Sequence, residues 1–566
     1  MLAAGIRGLG RGWKQAVPPV LLGGTVLRYY RAVAFDLDGT ITSGGPPDAT
    51  VLEAIRAARH SGTRILLVTG RMLADLEAEM PRLLDEFDAV VAENGGVLAV
   101  NGVPTRLAEP VEPGLASRLR EQGVLVRSGQ VLLACDGSIA HQAIDAVHEL
   151  ELDVQLVWNR GSLMLVPGGV TKGTGVLTAL AALGISPHSA IGVGDAENDH
   201  ALLHTCELGI AVANAVPALA EHADLVLAEP DGQGITKFLN GPVVRGTEAF
   251  HPRRWKLLLG TSVEDGRMVT IPASQNNVLI TGNSGSGKSY VTGLLAEQMI
   301  NLGYSVLLID PEGDHAELGM LRNTLLVGDT GRLPSPQELV RIIEHERSVV
   351  LDLSVVKHDV TTYMVDVHHQ LRARRERTGL PHWFVIDEAH RPLGLSSAVH
   401  DWGYCLATYQ PDGLNPQTID TMGWHLRLLH DQRGEAILTS VHDGGRVTRV
   451  SIAQRLTNHV RHHHKYTDAD LAPERGFHFR ADHGPTGAVA TNLRQFLTEI
   501  KRCDPAVIRH HARNGDFSRW VSDVLRDPVL ADCMRHIEYR AAHGGIESIR
   551  TDLLDITSFR YTLDMD

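Results

Sequence analysis

Two sets of residues in this chain have the types and spacing that phosphate chemistry requires. The first half carries Asp36-Leu37-Asp38-Gly39-Thr40, then Thr69, Lys172 and Gly194-Asp195-Ala196-Glu197-Asn198-Asp199. The second half carries Gly282-Asn283-Ser284-Gly285-Ser286-Gly287-Lys288-Ser289, followed downstream by Asp387-Glu388. The first set can build an aspartyl-phosphate, since a carboxylate can act as a nucleophile. The second can hold a nucleoside triphosphate, since a glycine-rich turn at a helix start presents amides to phosphate oxygens.

Such side chains need rigid elements to aim them. Arg31 to Phe35 reads as a buried parallel strand that delivers Asp36 at its C-terminal edge. Asp48 is placed to cap a following helix that runs to about His60, with Gly62 as its stop. Ile65 to Val68 is a second buried strand delivering Thr69-Gly70-Arg71, and Ser189 to Gly194 a third delivering Asp195. Strand, helix and strand with polar residues at each strand end predict an α/β doubly wound parallel sheet with its site along one edge.

These four ordered motifs, over roughly residues 30–240, resemble the haloacid dehalogenase superfamily of phosphatases. The resemblance implies Asp36 as nucleophile and Asp38 as the group that protonates the leaving oxygen and then activates water. Thr69 would hydrogen-bond the transferring phosphoryl group, and Lys172 would neutralise charge between it and Asp36. Asp195 would complete an oxygen-rich Mg2+ site with Asp36 and the carbonyl of Asp38. Asp199 joins that metal cluster, where it orients the site and Lys172. Glu93-Asn94-Gly95-Gly96 resembles the turn from which a type II cap, of the Cof and sucrose-phosphatase kind, branches off. An α+β cap is expected over about 97–166, with alternation at Gln130 to Ala134 and a helix from Ser138 to Leu150. A cap of this kind implies a small phosphorylated metabolite, a sugar phosphate or a phosphoglycolate-like acid, with Arg127 and Arg160 available to read it.

Gly241 to Lys256 reads as a linker to the second unit. Asn277 to Thr281 is then a strand, the glycine-rich loop follows, and a helix runs through Gln298, which is the context of a Walker A loop. Gly282, Asn283, Ser284, Gly285, Ser286 and Gly287 would cradle phosphates, Lys288 would reach the β and γ oxygens, and Ser289 would hold Mg2+. Trp383 to Ile386 delivers Asp387-Glu388 as a Walker B pair, with Asp387 on Mg2+ through water and Glu388 polarising the attacking water. The acid pair favours ATP hydrolysis over transfer to an organic acceptor. Val306 to Asp314 resembles a motif of HerA/FtsK-type and VirB4-type ATPases, and Thr408-Tyr409-Gln410 stands where that superfamily places a polar γ-phosphate sensor, Gln410. Those ATPases work as hexameric rings with an arginine supplied in trans, a role for which Arg391 and Arg427 are candidates. The resemblance covers about 250–450, is short for a full translocase and includes no basic pore loop, so DNA translocation does not follow from it.

A chain of 566 residues, 43% hydrophobic, exceeds one core. The expected units are an extension (1–29), the phosphatase-like unit (30–240), the linker (241–256), the P-loop ATPase (257–450) and a mostly helical accessory unit (451–566). A net charge of −14 argues against a nucleic-acid coat, and five scattered cysteines without ligand spacing fit a reducing cytoplasm. No run of about 20 apolar residues predicts a membrane span. Arg7, Arg11 and Lys14 precede a weakly apolar Ala16 to Leu27, read as an extension rather than a signal peptide. In the tail, His459 to His464 lack the carboxylate or cysteine partners of a metal site. Phe477 to Arg480 reads as a strand, Asn492 to Ile500 and Phe517 to Met534 as helices, with Asp516 able to cap the second. The leading expectation is a cytoplasmic phosphatase fused to an ATPase. A motor or switch protein with a regulatory phosphatase fold, and a polynucleotide kinase/phosphatase, are the alternatives.

Overall fold

The computed structural model describes residues 28–561 apart from 160, 284–285, 346, 355, 357–359, 390–404, 410–422, 430–431, 433, 441–445, 458–466, 468–470, 472, 526 and 542–545, together with two short pairs, 21–22 and 25–26. Arg160, Ser284, Gly285, Arg391, Gln410 and the His459–His464 run lie outside the described residues.

Two large sheets dominate. The first has eight strands, in spatial order Leu225–Val226, Leu208–Ala211, Ala190–Gly194, Ala32–Phe35, Arg64–Val68, Ala89–Ala92, Val97–Val100 and Val103–Arg106. All neighbours are parallel until the last two strands, which return as antiparallel hairpins. Its central strands are buried on both faces, which is why they are unbroken apolar runs rather than alternating ones. The helix Ala49–His60 buries Val51, Ala54, Ile55 and Ala58 and stops as expected, with Gly62 at φ 92°. Asp48 stands at its N-cap position but makes no side-chain capping bond.

The cap is shorter than the sequence pattern implies. Residues 97–106 are the antiparallel edge of the main sheet, not cap, because Val97–Val100 pairs along Ala89–Ala92 and buries Val97, Leu98 and Ala99 there, and Val103–Arg106 pairs back on Val97–Val100. The cap proper has the helices Pro113–Glu121 and Ala140–Glu149 packed on a four-stranded sheet from Arg127–Ser128, Leu133–Asp136, Val154–Asn159 and Ser162–Pro167. Its own core holds Leu115, Leu119, Ala143, Leu163 and Leu165.

The second large sheet has eleven strands. From Trp424–Leu428 through Val278–Thr281, Cys405–Tyr409, Trp383–Ile386, Val306–Asp310 and Ser348–Asp352 to Thr324–Val327 every neighbour is parallel. An antiparallel wing of Glu435–Ser440, Val447–Ile452, Lys256–Ser262 and Met268–Pro272 closes one side. The strand through Ile452 thus belongs to this sheet. Just beyond it, buried Arg455 faces Glu297, whose carboxylate also accepts from the amides of Leu456 and Thr457.

The stretch 241–256 is no loose linker. It contains the short helix Pro242–Arg245, and Val243 and Val244 sit in the core of the first unit. The two sheets meet through the ends at which their strands begin. Arg31, just before the strand leading to Asp36, donates to the Arg375 carbonyl at 3.0 Å. His188, just before the strand leading to Asp195, lies 2.8 Å from both the Glu207 carboxylate and the Leu302 carbonyl. Buried Glu207 also accepts from the hydroxyls of Ser274 and Tyr304, and the indole of Trp255 donates to its carbonyl.

The tail forms the predicted strand, Phe477–Ala481, paired with Gly484–Ala490, and the predicted helix Leu493–Arg502 capped by Asn492. The Phe517–Met534 helix is interrupted: Asp516–Trp520 and the wider turn Val521–Leu525 give way to a new helix at Pro528, which has no amide to continue the ladder. Asp516 does not cap; Gly515 occupies that position and Asp516 accepts from His511 instead. No helix among the described residues is long and apolar enough to cross a membrane.

Phe496 is fully buried, 5.3 Å from Phe477 and 5.2 Å from Trp520 between ring centres. Phe496→Ala is therefore expected to destabilise the C-terminal unit by about 3–5 kcal/mol, measured as a lowered first transition in denaturant unfolding; a shift of a few tenths would contradict this packing.

Candidate active site

The first site lies at the C-terminal edge of the eight-stranded sheet. Asp36, Thr69 and Asp195 follow three adjacent parallel strands, so local strand geometry alone brings them to one rim. Lys172 comes from elsewhere. It opens the helix Lys172–Ala182, whose N-cap Thr171 and Thr174 form a reciprocal capping box. That helix start can approach only because Gly95, at φ 108°, has no side chain: a Cβ there would lie 2.0 Å from the Thr171 carbonyl.

Lys172 is fully buried, with its Nζ donating to Asp36 at 2.6 Å and to Asp199 at 2.5 Å. The other Asp199 oxygen accepts from the amides of Asp195 and Ala196, both at 2.9 Å, so both oxygens are engaged with protein donors. Thr40 donates to Asp195 at 2.9 Å. Burial works against the Lys172 ammonium, but Asp199 and Asp36 outweigh it and hold it protonated well above its ordinary range. Burial pushes the Asp36 carboxyl up, Lys172 pulls it down, and Asp199 and Asp195 raise it again, for a net upward shift. Three buried carboxylates (Asp36, Asp195 and Asp199) with mutually close oxygens thus face one ammonium. This excess of desolvated negative charge, offered by hard oxygen donors, fits a divalent cation such as Mg2+.

Asp38 is half-exposed and gripped through both oxygens by Arg71, at 2.7 and 2.6 Å, while Arg71 also reaches Glu79. Thr69 accepts from the Arg71 amide at 3.1 Å. Several contacts here carry no mark in the sequence. Glu93, buried at φ 53°, accepts from the amides of Gln130, Val131 and Leu132 and so pins a cap loop to the core. Asn198 donates to Asn94 across the rim at 3.2 Å. Met164, on a cap strand, packs over Gly70 with Leu132, Met72, Val166 and Val170 in one apolar cluster. Arg127 pairs with Asp75 and ties cap to core.

Residues 33–111 and 135–239 match the family model described as haloacid dehalogenase-like hydrolase. A phosphoglycolate phosphatase of Methanothermobacter thermautotrophicus is 31% identical over 216 residues, 37% of this chain and 96% of that protein. The chain belongs to the haloacid dehalogenase-like hydrolases. The phosphoglycolate phosphatase of Archaeoglobus fulgidus is 30% identical over 220 residues, 37% of this chain and 95% of that protein. The family match skips 112–134, which is cap helix and first cap strand. In the second unit, residues 273–372 match the model described as Helicase HerA, central domain.

The second site sits on the same edge of the eleven-stranded sheet. Gly287, at φ 104°, turns the chain into the helix Lys288–Asn301, a conformation that favours glycine. Lys288 is buried, 3.5 Å from the Asn283 carbonyl and 3.6 Å from Glu388. Ser289 lies close enough to Asp387 to favour its charged form. The strand Cys405–Tyr409 separates the Walker A and Walker B strands and brings Thr408 to donate to Asp387 at 2.6 Å and to accept from the Glu388 amide at 2.7 Å. Burial alone would raise the Asp387 carboxyl, but His315, Thr408 and Ser289 hold it well below the usual range. Burial pushes Asp310 up to about 6. Arg427 is exposed, one strand from the Walker A strand.

Lys172→Met would leave the Asp36 and Asp199 carboxylates facing each other without their cation. The Asp36 pKa is already raised on folding, so its contribution is present at low pH and lost as pH rises through the folded value. In chelator, the variant is expected to lose about 3–5 kcal/mol at pH 8 and clearly less at pH 5. Equal losses at the two pH values in denaturant titrations would count against this account.

Proposed function

We propose that this chain is a Mg2+-dependent phosphatase of a small phosphorylated metabolite, joined to a unit that hydrolyses ATP. The observation that carries the reading is the buried Lys172 held between Asp36 and Asp199, with Asp195 alongside. Asp36 attacks phosphorus and forms an aspartyl-phosphate, while Asp38 protonates the departing oxygen and then deprotonates the water that cleaves the intermediate. Release of Asp38 from Arg71 frees it for that work. Thr69 and Lys172 hold the transferred group, and Asp199 orients Lys172. Asp36, Asp195 and the Asp38 carbonyl would hold Mg2+, which offsets phosphate charge when bound. The apolar cluster around Met164, packed over Gly70 beside Thr69, favours a small leaving group over a polymer. The relatives' name supports a phosphoglycolate-like acid, and sugar phosphates are the neighbouring class.

In the second unit, Lys288 and Ser289 would serve ATP and its Mg2+, Asp387 would orient that ion's water shell, and Glu388 would polarise the attacking water. The HerA match favours a second reading, an ATP-driven motor assembled as a ring, in which the phosphatase fold is regulatory. Five free cysteines among the described residues accord with a cytoplasmic setting.

Phosphate release from a panel containing phosphoglycolate and sugar phosphates, in a Lys288→Ala background, tests the first activity. Release is expected to require Mg2+, to vanish in chelator and to fall at least about 10³-fold in Asp36→Asn; release that survives Asp36→Asn would refute the mechanism. For the second activity, Glu388→Gln is expected to bind ATP normally while turnover drops about 10²-fold or more. If DNA stimulates turnover in a salt-sensitive way, the motor reading gains.

A further inference from the structure

We propose that His315 is a positioning residue of the nucleotide site, holding the Asp387 carboxylate in the one orientation that serves a Mg2+–nucleotide. This rests on reading the second unit as an ATPase. Its basis is a chain of contacts that begins on the neighbouring strand. The strand Val306–Asp310 ends at buried Asp310, and Asp310 folds the chain after it into a tight turn. One Asp310 oxygen accepts from the amides of Glu312, Gly313 and Asp314 at 3.3, 2.8 and 3.2 Å, and the other from the amide of His315 at 2.8 Å. The backbone of His315 is thereby fixed, and its ring is delivered across to the next strand, where Nε2 lies 2.9 Å from Asp387 Oδ2.

Asp387 is held from both sides. Its Oδ1 accepts from Thr408 at 2.6 Å and from the Glu388 amide at 3.1 Å, while Oδ2 takes His315. A carboxylate gripped at one oxygen alone can still swing about its terminal torsion, which is soft. Gripped at both, it presents a fixed face to Ser289 and to an ion's water shell. The donor must be Nε2–H, because a carboxylate in this setting only accepts. The opposite ring nitrogen, Nδ1, is buried with no partner among the described residues, so Asp387 is the polar contact that justifies an imidazole here. If packing were the only demand, a buried apolar side chain would fill the same space without the desolvation cost of a ring nitrogen. Partners behind a metal-serving group commonly tune metal affinity by about 10–100-fold.

The test uses the full chain with His315→Leu, His315→Gln and His315→Asn. Binding of a fluorescent ATP analogue is titrated with Mg2+ and repeated in chelator, alongside ATP turnover. In the leucine variant the Mg2+ concentration for half-maximal effect is expected to rise about 10–100-fold, with Mg2+-free binding unchanged. Glutamine, whose amide can reach Asp387, is expected to restore most of the effect; asparagine, shorter by a carbon, is not. A folded leucine variant with wild-type Mg2+ dependence overturns the proposal. If the leucine variant does not fold, the glutamine–asparagine contrast decides, and equal Mg2+ dependence in those two overturns it. Wild-type protein that binds no nucleotide under any condition refutes the ATPase reading itself, and the proposal falls with it.

Discussion

A single buried ammonium organises the first half of this protein. Lys172 sits where no water reaches it, between two carboxylates that would repel each other without it. Removing a charge from water is tolerable only when its partners are fixed within hydrogen-bond reach, and much of the local architecture supplies that fixity. Gly95 lets the Lys172 helix come close, and Thr171 caps the helix so that its first residue is held. Asp199 spends its second oxygen on backbone amides and cannot turn away. Asp36 is thus held by surroundings assembled from four separated segments.

The second site solves the same problem with different parts. Its buried acid, Asp387, is held by donors from the Walker A helix, the Asp310 turn and the intervening strand. In both halves the acid lies at a strand end, where backbone geometry fixes its root, and the restraint on its head arrives from distant chain. Parallel sheets favour this division, since every strand of the set opens toward the same edge.

That division also explains what could be read from sequence. Asp36, Thr69 and Asp195 are visible because each directly follows an apolar run, and the glycine-rich loop because strand, turn and helix are contiguous. The contacts of His315, Thr408, Glu93 and Arg71 carry no such signature: each matters through a partner 20 to 72 residues away, and the fold alone decides who meets whom. The cap boundary was misplaced for a related reason. Val97 to Val100 is an apolar run with no mark of its partner, and only its pairing with Ala89–Ala92 assigns it, with Val103–Arg106 beside it, to the main sheet. Asp516 looked like a cap by composition, yet His511 claims its carboxylate.

The contact between the two sheets has a geographical consequence. His188, Arg31 and Glu207 on one side, and Leu302, Tyr304 and Arg375 on the other, join the sheets at the ends where their strands start. Both reactive rims lie at the opposite ends of those strands. The two centres therefore open toward opposite horizons, with the strands of both sheets between them. If both rims act as proposed, phosphate leaving one would reach the other only through the surrounding solvent.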